Sequence, residues 1–190
     1  MAGERNDRLA WDEYFMQLTI CTMTRSADPS TRVGACLVDS DHHILSTGYN
    51  GAPRGMDDIY FPWASEGEKT GDILNIKNTF VCHAEANSID NYFGDKSRLK
   101  GSTLYVTFFP CTECAKRLIQ NGISRIVYLI DSPYEDFKQA SLKMFSYANV
   151  KVEKYEGDLL KLENAFNDAI VEIENKKIKV KRKRWGIWWQ

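Results

Sequence analysis

Apolar positions first recur at helical spacing at Leu9, Ala10, Tyr14, Leu18 and Cys21, which predicts an amphipathic helix over 8–24 with those side chains facing inward. Asp28-Pro29-Ser30 then supplies a stop and a turn. Val33-Gly34-Ala35-Cys36-Leu37-Val38 and Ile44-Leu45-Ser46-Thr47-Gly48-Tyr49 read as strands, joined into a hairpin by the polar residues Asp39 to His42. Residues 52–78 mix Gly, Pro and charged residues without a sustained period, and a loop of that length in a compact domain is usually functional. Beyond it strand and helix alternate: helix 83–92, strand 103–107, helix 111–121, strand 125–130, helix 135–148, strand 150–154, and a helix from 158 to about 175. That alternation predicts a layered α/β domain. Gly122 stands where a helix C-terminal glycine belongs, and no internal repeat is visible.

The chain has 190 residues, which suits a single domain over 1–175 followed by a short appendage at 176–190. With 43% hydrophobic and 27% charged residues it has a soluble globular composition. No apolar run approaches the roughly 20 residues of a bilayer span. Asp7, Arg8, Asp12 and Glu13 interrupt the place where a signal peptide would need its apolar stretch, so a cytoplasmic location without a transmembrane segment is expected. The five cysteines, Cys21, Cys36, Cys82, Cys111 and Cys114, are odd in number, which favours reduced thiols or metal ligation over a disulfide framework.

Charge is unevenly distributed. Lys176, Lys177, Lys179, Lys181, Arg182, Lys183 and Arg184 account for seven of the 25 basic residues. The remainder carries 18 basic against 26 acidic groups, about −8 by formal count, so sequence-independent binding of a polyanion would have to come from the tail.

His83-Ala84-Glu85 and Pro110-Cys111-Thr112-Glu113-Cys114 each open a predicted helix and together offer one imidazole and two thiolates. Three protein ligands with a fourth place left open are the pattern of a catalytic zinc, whereas a structural zinc is closed by a fourth side chain. Positive helix ends directed at the thiols favour their ionised form, and the metal would activate a water near neutral pH. Glu85 follows His83 by two residues, about 200° around a helix axis, so it does not readily ligate the same ion but can reach the water. His-x-Glu with Pro-Cys-x-x-Cys is the signature of the zinc deaminases that act on nucleobases, with the Glu as general acid and base. In that chemistry Glu85 takes the proton of water, delivers it to ring N3 as C4 is attacked, and then protonates the departing amine. A Cys-x-x-Cys alone also fits a redox dithiol or a structural zinc; the conjunction of both motifs, each beginning a helix, favours the deaminase. Cys82, like Cys21 and Cys36, reads as a small buried hydrophobe.

Four segments occur in a telling order: Val33-Gly34-Ala35-Cys36, Gly48-Tyr49-Asn50-Gly51-Ala52-Pro53, Cys82-His83-Ala84-Glu85-Ala86-Asn87 and Phe109-Pro110-Cys111-Thr112-Glu113-Cys114-Ala115-Lys116. With them the chain, over about 11–155, resembles the deoxycytidylate deaminase family. The resemblance implies a cytidine-deaminase-like three-layer α/β/α sandwich whose central mixed sheet has about five strands flanked by helices. It implies hydrolysis of dCMP to dUMP and ammonia with one catalytic zinc per subunit, in a homohexamer activated by dCTP with magnesium and inhibited by dTTP. It also assigns roles. Asn50 hydrogen-bonds the sugar hydroxyl, although Asn-Gly is also simply a turn. Gly48, Tyr49 and Gly51 belong to the allosteric nucleotide motif, with Asp57 and Asp58 as magnesium-side groups. Arg25 lies at the position used near the substrate phosphate, and Tyr134 is a second phosphate candidate. Ala84 N–H and the Pro110 carbonyl before Cys111 read the base, with Phe108 or Phe109 packed nearby.

Two features depart from the family. Between Gly55 and Thr79 there is no Cys or His, so the second zinc site of some members is not expected. The basic run ending in Trp185, Trp188 and Trp189 has no family counterpart; it fits single-stranded nucleic acid, an anionic membrane surface, a localisation signal, a docking partner or a solvated tail. A nucleic-acid editing deaminase that uses this tail is the alternative function. A non-catalytic nucleotide sensor is disfavoured by the intact Glu85 and ligand set.

Overall fold

The computed structural model describes residues 8–66 and 72–184, with side chains as far as 177 at the C-terminal end. Five strands form one sheet: β1 (Gly34–Val38), β2 (Ile44–Tyr49), β3 (Thr103–Phe108), β4 (Arg125–Ile130) and β5 (Lys151–Lys154), in the order β2-β1-β3-β4-β5. β1 runs antiparallel to both β2 and β3, whereas β3, β4 and β5 are parallel. The connections dictate this mixture. A short polar turn makes β1 and β2 a hairpin, while helices α4 (Thr112–Gln120) and α5 (Glu135–Tyr147) provide the long crossovers that parallel neighbours require.

Every residue of β1 is buried, as expected of a strand covered on both faces. Ala35, opposite Gly48, and Leu37, opposite Leu104, point into the main core, where they join Ala84 and Ile89 of the third helical element, Leu118 of α4 and Phe145 of α5. That third element is α3 (Ala84–Asp90); a short α2 (Lys77–Phe80) closes the long loop before it. Gly34 and Cys36 face the other way, toward α1 (Trp11–Met23). A Cβ on Gly34 would fall 2.2 Å from the Thr19 carbonyl oxygen, and the ring of Phe15 lies 5.2 Å from that of Tyr105, the strand partner of Cys36. Helix, sheet and helix therefore make three layers. Burial pushes the Cys36 thiol up to about 12. α4 ends as its sequence suggests: Gly122 has φ 75°, and the N–H groups of Gly122 and Ile123 return to the carbonyls of Ile119 and Leu118.

The inward stripe of α1 is not the predicted one. Phe15, Met16 and Thr19 are buried, while Ala10, Tyr14 and Cys21 are exposed, so Cys21 is not a buried hydrophobe; Cys82 is half-buried. The reason is the close approach at Gly34, which brings Thr19 against the sheet. Its hydroxyl is satisfied by the Phe15 carbonyl at 2.8 Å, so a polar side chain can be buried there without an orphaned group.

By compactness the chain divides into residues 15–156, which hold the sheet, and a second unit of 1–14 with 157–190. In the second unit α6 (Leu159–Arg184) carries the basic run on beyond its predicted end near 175. Glu172–Lys176 and Glu174–Lys177 ion pairs support the extension. Lys161 reaches Glu13 at 2.6 Å. Trp185, Trp188 and Trp189 lie outside the described residues. No described helix is long and apolar enough to cross a membrane. At the sheet's far edge, Glu153 of β5 is paired with Arg125 at 2.6 Å and with Lys151 at 2.8 Å.

A buried ion pair ties the end of the long loop to the turn after α1. Lys77 Nζ lies 2.9 and 2.7 Å from the two carboxylate oxygens of Asp28 and 2.5 Å from Ser30 Oγ. Only 6% of Lys77 and 4% of Asp28 is exposed. Burial works against ionising Asp28, but the hydrogen bonds from Lys77, Thr31 and Ser30 outweigh it and hold the carboxyl below its usual value.

Gly48→Ala would set a methyl group 2.3 Å from both the Ala84 carbonyl oxygen and the Ser88 nitrogen, which are backbone atoms that cannot swing aside. It should lower stability by about 1–3 kcal/mol or more, read as the urea midpoint. The Asp28 pair predicts an acid limb. Because the folded pKa lies below the ordinary value of 3.8, its contribution is full above that value and is lost as pH falls through the folded one. Urea midpoints should drop below about pH 4, and Asp28→Asn should flatten that drop at a lower overall stability.

Candidate active site

Two helix starts build the site. His83 is the N-cap residue of α3 and Cys111 that of α4, both in extended backbone conformation. N-cap side chains usually bond back onto their own helix. Neither of these does, so both are free to point at each other. Cys114, in the first turn of α4, completes the group. His83 Nδ1 lies 3.4 Å from Cys111 Sγ and 3.4 Å from Cys114 Sγ, and all three donor atoms fall within 4.8 Å of one another. Zinc bonded tetrahedrally to one nitrogen and one sulfur at ordinary lengths would hold them about 3.6 Å apart. The triad can therefore accept such an ion with little movement.

Local sequence explains how the two helices come to converge. Phe109 donates its N–H to Ile130 at 2.8 Å, which keeps the chain on the sheet until Pro110. Proline has no N–H to continue the ladder, and the chain turns there into α4. On the other side, Gly51 and Cys82 exchange backbone hydrogen bonds at 3.1 and 2.9 Å, fixing the residue just before His83. Asn87 Nδ2 donates to Tyr49 O at 2.7 Å, Asn91 Nδ2 to Thr47 O at 3.0 Å, and Ser46 Oγ to Ser88 O at 2.5 Å. α3 is thus latched along β2, with the bare backbone of Gly48 at the point of contact.

Electrostatics in the cluster are strongly shifted. The hydrogen bond with Cys114 draws the Cys111 thiol down to about 3, against burial and helped by His83. The same bond, with burial and the nearby Glu85, pushes Cys114 up. His83 is raised by its bond with Cys111, working against burial. Glu85 is only 5% exposed, and desolvation raises its carboxyl, opposed by His83. It sits beside Cys114 but outside the three-donor cluster.

The other predicted residues fall as follows. Ala84 and Pro110 are buried next to the donor triad, and Phe109 is buried against Tyr128 with its ring centroid 5.0 Å away. Arg25 is exposed, with its guanidinium 6.0 Å from the centre of the Tyr49 ring. Tyr134 is exposed at the start of α5, with its ring edge-on to Phe137. Gly48 and Gly51 are buried. Asp57 and Asp58 are exposed: Asp57 Oδ1 accepts from Ile59 N, the Asp58 carbonyl accepts from the Trp63 indole, and neither joins a cluster of three metal donors among the described residues. Asn50 is buried, its amide bonded to Val33, Asp28 and Thr31. Sequence reading missed Asp28 and Lys77; the turn at Asp28 was visible, but a lysine 49 positions away gives no signal that it will be buried against it.

Comparison with known proteins agrees with this geometry. Residues 9–130 match the cytidine and deoxycytidylate deaminase zinc-binding region. A probable deoxycytidylate deaminase of Drosophila melanogaster is 45% identical over 156 residues, covering 80% of this chain and 75% of that protein. Deoxycytidylate deaminase of Homo sapiens is 40% identical over 153 residues, covering 80% and 83%. Among solved structures, dCMP deaminase from the cyanophage S-TIM5, in complex with dCMP and dUMP, superposes with a TM-score of 0.60 at 25% identity, covering 80% of this chain and all of that one. With the fold, the helix-borne donor triad and the sequence match in agreement, the chain belongs to the cytidine and deoxycytidylate deaminase family.

Proposed function

We propose that this protein hydrolyses dCMP to dUMP and ammonia. The observation that carries the reading is the His83, Cys111 and Cys114 triad, spaced for one zinc, with the buried carboxyl of Glu85 beside it. The ion, when bound, supplies Lewis acidity that lowers the pKa of a water toward neutrality. Glu85 is the general acid and base. Its carboxylate accepts a proton from the attacking water and passes it to ring N3 as C4 becomes tetrahedral; it then takes the remaining proton from the new C4 hydroxyl and gives it to the amine, which leaves as ammonia as the C4 carbonyl forms. Desolvation suits it to this work, because a carboxyl held above its usual value accepts a proton more readily than an ordinary carboxylate.

The Ala84 N–H and the Pro110 carbonyl recognise the base edge, and Phe109 forms part of the apolar wall. Arg25 and Tyr134 are the phosphate contacts, and Asn50 contacts the sugar. Gly48, Tyr49 and Gly51 form the allosteric nucleotide site, activated by dCTP and inhibited by dTTP, with Asp57 and Asp58 toward a magnesium ion. Its coupling to catalysis is supported by the Gly51–Cys82 bridge and the Asn87–Tyr49 bond, which link that segment to the residues around His83. The working form is a cytoplasmic homohexamer with one zinc per subunit, built from a single deaminase domain over 1–175 with a basic tail.

Purified protein should release ammonia from dCMP in preference to deoxycytidine, dCTP or single-stranded DNA. Glu85→Gln should lower kcat by about 10²–10⁴ while elemental analysis finds zinc still bound; loss of the metal in that variant would make Glu85 a ligand instead. Rates measured across a dCMP titration should rise with dCTP and fall with dTTP, and superimposable curves would remove the regulatory assignment.

A further inference from the structure

Asn50 has four hydrogen-bonding places on its amide, two N–H donors and two oxygen lone pairs. Nδ2 donates to Asp28 Oδ2 at 3.1 Å and to Thr31 O at 2.9 Å, while Oδ1 accepts from Val33 N at 2.7 Å. No other donor among the described residues reaches Oδ1. What is left to a ligand is therefore one acceptor lone pair and no donor.

The orientation of that amide is not free. Turned over, its oxygen would face the Asp28 carboxylate and the Thr31 carbonyl, and its NH₂ would face the Val33 N–H, exchanging three hydrogen bonds for three repulsions. The arrangement depends on Asp28 being an ionised acceptor in a buried place. Lys77 keeps it so, with Nζ within 2.9 Å of both carboxylate oxygens. Two further bonds lock the same segment: Ser26 Oγ donates to the Asn50 carbonyl at 2.8 Å, and the Asp28 N–H returns to Ser26 Oγ at 3.2 Å. Asn50 is adjacent to Gly51, whose backbone pairs with Cys82 beside the ligand His83, so the fixed amide stands close to the reaction site in the chain's own hydrogen-bond network.

We propose that Lys77 is a positioning residue that acts through Asp28 to hold Asn50 as an acceptor-only contact, making the site select nucleotides whose sugar presents a free hydroxyl donor. This rests on the dCMP reading above and sharpens its substrate class. A 2′-deoxynucleoside 5′-monophosphate has one free sugar hydroxyl, on C3′. A cytosine inside a strand carries a phosphodiester there, with acceptors only, so the same contact disfavours polynucleotides.

The test compares kcat/KM for dCMP and for 2′,3′-dideoxycytidine 5′-monophosphate, using zinc-loaded wild type and Lys77→Met. Wild type should prefer dCMP on the order of tenfold or more. Lys77→Met should narrow that preference to within about twofold, chiefly through a higher KM for dCMP, with bound zinc unchanged and kcat much less affected. A variant that slows equally on both substrates and keeps the wild-type ratio overturns the proposal, since Lys77 would then be merely structural. A wild type indifferent to the 3′-hydroxyl also overturns it while leaving dCMP deamination standing; failure to turn over dCMP at all sinks both. If Lys77→Met does not fold, Lys77→Met with Asp28→Asn buries no lone charge and should show the same narrowing.

Discussion

The backbone of β2 and the backbone of α3 meet at Gly48 with no side chain between them. That approach sets how deep α3 lies, and α3 carries His83 at its N-cap and Glu85 two residues further on, in its first turn. Three side-chain bonds from Ser46, Asn87 and Asn91 then hold the helix lengthwise along the strand. Once α3 is placed, the crossover from β3 through Pro110 brings the start of α4 to the same point, and nitrogen and sulfurs converge. The donor cluster is thus a product of sheet packing, assembled by rigid elements rather than by the loop that precedes it.

Much of this arrangement was legible in the chain. The alternation of strands and helices after residue 83 gave the layered class, and His83, Cys111 and Cys114 stood out as a candidate donor set because chemistry restricts residue type and spacing at a metal; the fold brings those three side chains together. The antiparallel start of the sheet followed from the short polar turn between Val38 and Ile44. Less visible was the inward face of α1, because Thr19 satisfies its own hydroxyl within the helix and so hides inside. A hydrophobicity pattern counts such a residue as polar and looks for the core elsewhere. The end of α6 was misjudged for a related reason: a run of like charges reads as a solvated tail, yet acidic residues one turn earlier pair with it.

The Asp28–Lys77 pair was illegible in principle. Its partners are distant in sequence, and each residue alone looks like an ordinary surface charge. Only the fold shows that Thr31, Val33 and Asn50 enclose the carboxylate and the amide together. Buried charge pairs contribute little net stability when compared with apolar substitutes, so geometry, the fixing of the Asn50 amide, accounts for this pair better than stability does.

The sheet's β5 edge has a different consequence. Lysine stands at both ends of this four-residue strand, and Glu153 is engaged with Arg125 and Lys151. An incoming strand would have to settle beside ammonium groups on a very short ladder, which is a poor template for extension. That border is therefore guarded against sheet-to-sheet aggregation, although the sheet is left open along it.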